Sequence, residues 1–145
     1  MKRLITATTV LALLISTLVV LPGLASADLL KITDHGTTCT VTADNNAVNC
    51  IGKLSGLGST TTTIEVLAPF TCTNKAGNTV VGQSGGQSGP IQPQNGQVTF
   101  NVTTQSVADK CTHADGHTVS FSPTATINVY QNGQLVFTEQ IPITQ

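Results

Sequence analysis

Tryptophan is absent from this sequence, and aromatic side chains of any kind are scarce: one tyrosine and four phenylalanines. Carbohydrate recognition on stacked aromatic platforms therefore finds little material here. The tryptophan that packs on the inter-sheet disulfide of antibody domains is also missing, so a true immunoglobulin identity does not follow from any strand pattern. Charge is equally thin, at 9% of residues, with six basic side chains against seven acidic ones. Binding to nucleic acid calls for a clustered basic face, and attraction to anionic lipid for a basic patch; neither is present. No cysteine stays free if both bridges form, and the serines gather in Gly-rich stretches, which leaves no evident nucleophile. The scattered carboxylates form no evident general acid/base pair. A non-enzymatic protein without a cofactor is the expectation.

What is present begins with an export signal. Lys2 and Arg3 form a basic start, Ile5 to Leu21 an apolar run and Ala25-Ser26-Ala27 a small-residue cleavage site. Residues 1–27 read as a signal peptide and 28–145 as one domain, long enough to bury about two thirds of the surface its unfolded chain exposes. No second apolar run follows, no cysteine sits where a lipid would be attached, and no C-terminal anchor signal is visible. The expected product is secreted and extracellular, without a membrane once the signal is cleaved.

Four cysteines, Cys39, Cys50, Cys72 and Cys111, in an exported chain point to two disulfides rather than metal ligands or catalytic thiols. Three pairings are possible, and strand register favours one. In T-C-T-V-T-A-D-N-N-A-V-N-C-I, alternation puts Cys39, Val41 and Ala43 on one face. A two-residue turn at Asp44-Asn45 would set Val41 opposite Val48 and Cys39 opposite Cys50. Cys39–Cys50 is then a bridge across a hairpin, which leaves Cys72 for Cys111.

No segment after the signal carries a 3.6-residue apolar period, whereas short alternating or β-branched runs recur. Asp28 to Thr37 reads as a first strand. Thr60 to Leu67 is β-branched, with Pro69 ending it or marking an edge. A strand around Cys72 closes at Asn74 to Asn78, and Gln97 to Thr104 alternates with Val98, Phe100 and Val102 inward. After Thr118 to Ser122, Thr124 to Gln140 is a hairpin with Asn132-Gly133 at its tip. Tyr130, Leu135 and Phe137 gather on one of its faces and Ile127, Val129 and Val136 on the other, as in an interior pair. The fold class expected is all-β: an antiparallel β-sandwich, loosely Ig-like, of about seven to nine strands with two disulfides.

Two stretches are candidates for function. Gly82 to Gly96, with five glycines, two prolines and a doubled Q-S-G, reads as a mobile loop and a candidate binding element, carried by Gly82, Gln83, Gly85, Gly86, Gln87 and Gly89. It is no phosphate cradle, because no Lys-Ser/Thr and no helix follow it. His113, Asp115 and His117 have ligand-type spacing, but on an Asp-Gly turn no helix face presents them together, so no structural metal is expected. The function expected is a binding or surface-interaction module whose loops engage an extracellular protein or surface ligand. The alternatives are a protease inhibitor presenting Gly82 to Gly96, or a metal-dependent enzyme using His113, Asp115 and His117.

The run Cys72-Thr73-Asn74, Gly77-Asn78, Gly82-Gln83, followed by a strand like Gln97 to Thr103, resembles the C-T-N-x-x-G-N-x-x-x-G-Q signature of small secreted bacterial proteins, chiefly actinobacterial, of unassigned activity. In that family a Pro-Gly commonly precedes the Gly-Asn, where this chain has Lys75-Ala76-Gly77. The resemblance implies a secreted β-domain and transfers no catalytic residue.

Overall fold

A computed structural model describes residues 31–111 and 116–145. The expected signal, residues 1–27, lies outside the described residues. The rest is all-β. Nine strands, β1 (Thr33–Asp34), β2 (Thr38–Val41), β3 (Val48–Ser55), β4 (Thr62–Thr73), β5 (Thr79–Gln87), β6 (Gln97–Thr103), β7 (Thr118–Phe121), β8 (Thr124–Gln131) and β9 (Gln134–Thr144), are joined by turns and one short 3-10 segment, Ala108–Lys110.

The strands form one hydrogen-bonded sheet with two hubs. β3 pairs with β6 on one side and with β1 and β2 on the other; β4 pairs with β5 on one side and with β8 and β7 on the other. β9 lies against β8, and its last residues continue past the end of β8 to meet β2 in parallel, Cys39 against Ile143. The expected purely antiparallel arrangement is corrected on this point. β9 outlasts its partner: past Pro142 its backbone runs beside β2 in the same direction, while the Ile143 amide bonds the Pro123 carbonyl. The sandwich and Ig-like details of the expectation do not follow from this pairing. What does follow is a single core: Val48, Leu54, Val98, Phe100 and Val102 from the first hub meet Ile64, Val66, Phe70, Phe121, Ile127 and Val129 from the second.

Both disulfides sit on that core. Cys39–Cys50 spans β2 and β3 at the register expected, with Val41 opposite Val48, and Cys72–Cys111 ties β4 to the segment after β6. Chain-entropy arguments assign the rings about 3 and about 4 kcal/mol. The β2–β3 turn differs from the expectation while keeping its register. Thr42 and Ala47 still bond to one another, Asn45 takes φ +60°, and the Thr42 hydroxyl donates to the Asp44 carboxylate, so the loop has four residues instead of two.

Other boundaries shift for local reasons. Within the described residues the first strand shrinks to Thr33–Asp34, because Gly36 turns at φ +84° and the Asp34 carboxylate accepts the Thr37 amide. β4 runs straight through Pro69. The Pro69 carbonyl accepts the Ser122 amide at 2.9 Å, so its donorless nitrogen faces the gap where β8 pairing ends and β7 begins. In the last hairpin, Asn132 and Gly133 take φ +51° and +75° as expected, but a register shift at Val129/Tyr130 throws Val136 out of line. Ile127 and Val129 are buried while Val136 and Leu135 are exposed, so β8 is interior and the start of β9 is not.

Candidate functional site on the outer face of the second hub

The largest departure from the sequence reading falls on the candidate binding loop. Gly82, Gln83, Gly85, Gly86 and Gln87 lie in β5, paired residue for residue with β4 from Thr73/Thr79 to Glu65/Gln87; only Gly89 is in the connection that follows. Beyond β5 the chain stays attached, with Ser88 bonded to Ile64 and Ile91 to Thr62. The stretch closes in a two-residue turn, Asn95 at φ +51° and Gly96 at φ +73°, between the mutually bonded Gln94 and Gln97.

The glycines are there for proximity. A Cβ on Gly82 would lie 2.6 Å from the Phe70 ring directly opposite, and one on Gly86 2.3 Å from the Thr103 carbonyl. Phe70 thus covers the strip a side chain on β5 would otherwise fill, as Phe100 covers Gly52 on β3. Lys110 closes the same corner, with its ammonium 5.9 Å from the Phe70 ring centre and donating to the Gln83 carbonyl. The outer edge of β5 is held through Ser84, whose buried hydroxyl donates to the Gln105 carbonyl, and through the Gln105 amide on Gly85.

The hairpin signature residues have structural duties here. Asn74 accepts the Gly77 amide on its carbonyl and the Asn78 amide on its side chain, and Gly77 takes φ +82°.

The second candidate cluster is only partly in view. His113 and Asp115 lie outside the described residues, and His117 precedes β7. Among the described residues no group of three or more His, Cys, Asp or Glu could hold a metal.

Chemistry gathers instead on the solvent side of β4, β5 and β8. Side chains alternate across a strand, so Thr63 and Glu65 on β4 and Asn128 and Tyr130 on β8 point away from the core. Register then sets Thr138, Asn128, Glu65 and Gln87 in one row across four strands. The row is bonded along its length. Thr138 donates to Asn128 Oδ1 at 2.9 Å, Asn128 Nδ2 to Glu65 Oε2 at 3.0 Å, and Gln87 Nε2 to Glu65 Oε1 at 3.2 Å. The hydroxyl of Tyr130, the single tyrosine, donates to Glu65 Oε2 at 3.0 Å. The Asn128 amide above all holds the Glu65 carboxyl below its ordinary range; burial opposes it, and the Tyr130 hydroxyl and the Gln87 amide add smaller support. Tyr130 is pushed up, first by donating to Glu65, so its proton stays in place.

Two depressions flank this row. One of about 410 Å³ is lined by Thr61, Thr63, Gln87, Pro90, Tyr130, Asn132 and Gly133; the other, about 310 Å³, by Glu65, Gly85, Gly86, Gln87 and Gln105. Gln87 borders both. Of the residues expected to bind, Gly85, Gly86 and Gln87 are brought to these depressions, while Gly82 and Gln83 face Phe70 and Lys110. Glu65, Asn128 and Tyr130 were not expected. Their signal lay in outward polar positions on two strands whose pairing is non-local.

No family model matches the chain, and no curated protein does. Among solved structures it is similar to the Pseudomonas fluorescens alkylpurine DNA glycosylase AlkC bound to DNA containing an abasic site analog, at 13% identity and a TM-score of 0.30, over 79% of this chain and 30% of that one. A likeness this weak carries no argument about fold or activity.

Proposed function

We propose that the protein is a secreted, non-enzymatic binding module whose ligand-bearing surface is the outer face of β4, β5 and β8 rather than a mobile loop. The observation that carries this reading is the hydrogen-bonded row through Glu65, fixed before any ligand arrives and bordered on both sides by depressions. Groups held in place by one another lose little freedom on binding, which is how a shallow polar surface gains affinity. Two disulfides suit an oxidising environment, and among the described residues no helix is long and apolar enough to cross a membrane. The disulfides support an extracellular setting, as does the resemblance to small secreted bacterial β-proteins. Glu65 bonds three neutral donors and lies beside no second carboxylate, histidine or cysteine among the residues lining the two depressions, a poor arrangement for hydrolysis. An inhibitor loop would have to stand free of the body, whereas residues 79–91 are bonded to β4.

The test is sedimentation of the purified protein with a washed envelope fraction of a bacterium that exports it, compared with Thr63→Arg, which fills the larger depression. Wild type should co-sediment and the variant stay in solution at an unchanged melting temperature. A wild-type protein that stays in solution, or a variant that sediments equally, would count against this face as the binding surface.

A further inference from the structure

We infer that the ligand of this face is a neutral saccharide lying across the two depressions, an inference that rests on the binding reading above. The residues lining both depressions include no lysine or arginine, and the one charge among them is the Glu65 carboxylate. An anionic ligand would meet that charge with no compensating cation, which excludes phosphate, sulfate and acidic glycans as the preferred class. An arginine fork from a protein partner could not close on both carboxylate oxygens without displacing donors, since Asn128 and Tyr130 both occupy Oε2 and Gln87 leaves Oε1 a single open lone pair.

Hydroxyl groups suit what remains. Oε1 carries one donor and has a lone pair to spare; Gln87 keeps its carboxamide oxygen and a second N–H; the Tyr130 hydroxyl, having donated its proton, still accepts. Donors and acceptors thus alternate around one carboxylate, the pattern that adjacent sugar hydroxyls satisfy by giving one bond and taking another. Apolar contact is available beside them, because Tyr130 and Pro90 line the same depression as Thr61 and Thr63. A pyranose has such a second character on its C–H face, and aromatic rings are its usual partner. The scarcity of aromatic residues does not weigh against a single sugar subsite, since the one tyrosine is placed at it. The bond to Glu65 Oε2 holds Tyr130 by its hydroxyl, with the ring in the wall of the depression.

The experiment is a ¹H–¹⁵N titration of the intact exported protein with cellotetraose, maltotetraose and chitotetraose, and in parallel with the peptide Gly-Lys-Gly-Arg. Saturable shifts confined to Thr63, Glu65, Gln87, Asn128 and Tyr130 with at least one saccharide support the inference. Tyr130→Ala should then weaken binding about tenfold, and Tyr130→Phe, which keeps the ring and drops one hydroxyl, by about threefold. Gln87→Ala serves as a second variant if loss of the Tyr130 ring disturbs folding, with a melting curve taken for each. Shifts at these residues with the cationic peptide alone would overturn the saccharide and leave the binding face standing. No shift at them with any saccharide, although wild type still sediments with envelope and Thr63→Arg does not, would also overturn the saccharide and spare the face. Failure of sedimentation as well would overturn both.

Discussion

β5 and β6 lie at comparable positions, each pairing with one hub strand and leaving its other edge without a full partner, yet they are held in place by opposite means. β6 brings its own anchors: Val98, Phe100 and Val102 are buried at every second position, and the residues between them face out. β5 brings almost none. Val80 and Val81 are exposed, Ser84 is its one buried residue, and three of its nine residues are glycine. Its place is secured by nine backbone pairings to β4, by the Phe70 ring laid over Gly82, and by close approach of Gly86 to the chain leaving β6. A strand can therefore be specified by side chains it carries or by side chains it makes room for. The second kind is sensitive to added atoms rather than lost ones.

The largest effect expected from this contrast comes from removing β5 material. Deleting residues 82–89 takes away six of the nine pairings to β4 and exposes Phe70, so the protein should lose its cooperative melting transition. A loop of the same composition would tolerate the deletion, because closure entropy varies only logarithmically with length. A far-UV circular dichroism melt that stays cooperative would show that β5 contributes little to the fold.

Next in size is the loss of a carried anchor. Phe100→Ala should destabilise by about 3–5 kcal/mol through lost burial and the cavity left against Gly52, whereas Val81→Ala on β5 should change stability by less than about 0.5 kcal/mol. Urea unfolding of the pair measures the ratio. Comparable losses would mean that β5 side chains are anchors too.

Addition reverses the ranking. Gly86→Ala places a methyl 2.3 Å from the backbone oxygen of Thr103, which cannot rotate aside, and should cost about 1–3 kcal/mol. Gly89→Ala meets nothing within 4 Å and should be neutral or slightly stabilising. Equal melting temperatures for the two would break the proposed account of β5.

The same contrast explains which parts of the fold could be read in advance. β6 announces itself by alternation, and the β2–β3 register by the agreement of Val41/Val48 with Cys39/Cys50, both local patterns. β5 is invisible to such patterns because its apolar complement, Phe70, belongs to another strand; composition alone makes residues 82–96 look like a tether. One local clue was there: Gln94-Asn95-Gly96-Gln97 repeats the Q-N-G-Q of the last hairpin, Gln131 to Gln134, and both form Asn-Gly turns. The polar row at Glu65 was illegible for a related reason. Thr63, Glu65, Asn128 and Tyr130 lie outward on their own strands, but that Glu65 stands between Asn128 and Gln87 depends on β8 and β5 flanking β4, which is topology and not periodicity.

The smallest effect expected is also the most specific to that row, and it concerns pH. Glu65 and Glu139 are carboxylates displaced in opposite directions. Glu65 is lowered chiefly by the Asn128 amide, so its contribution to stability is present above the unfolded glutamate value of about 4.3 and is lost as pH falls through the lower folded value. Glu139 is raised, first by burial and then by the charge of Asp34, so its protonated form favours the fold and that contribution disappears as pH rises through the folded value. Glu139→Gln should therefore raise the melting temperature slightly at pH 7 and leave it nearly unchanged at pH 3. Glu65→Gln should lower it slightly at pH 7 and converge on wild type under the same acid conditions. Both groups are only partly buried, so the shifts are small, and it is their opposite sign that carries the information. Melts of the two variants across pH 3 to 7 decide the matter: if both move the same way, the three donors around Glu65 do not hold its charge, and the row is a surface coincidence rather than a built site.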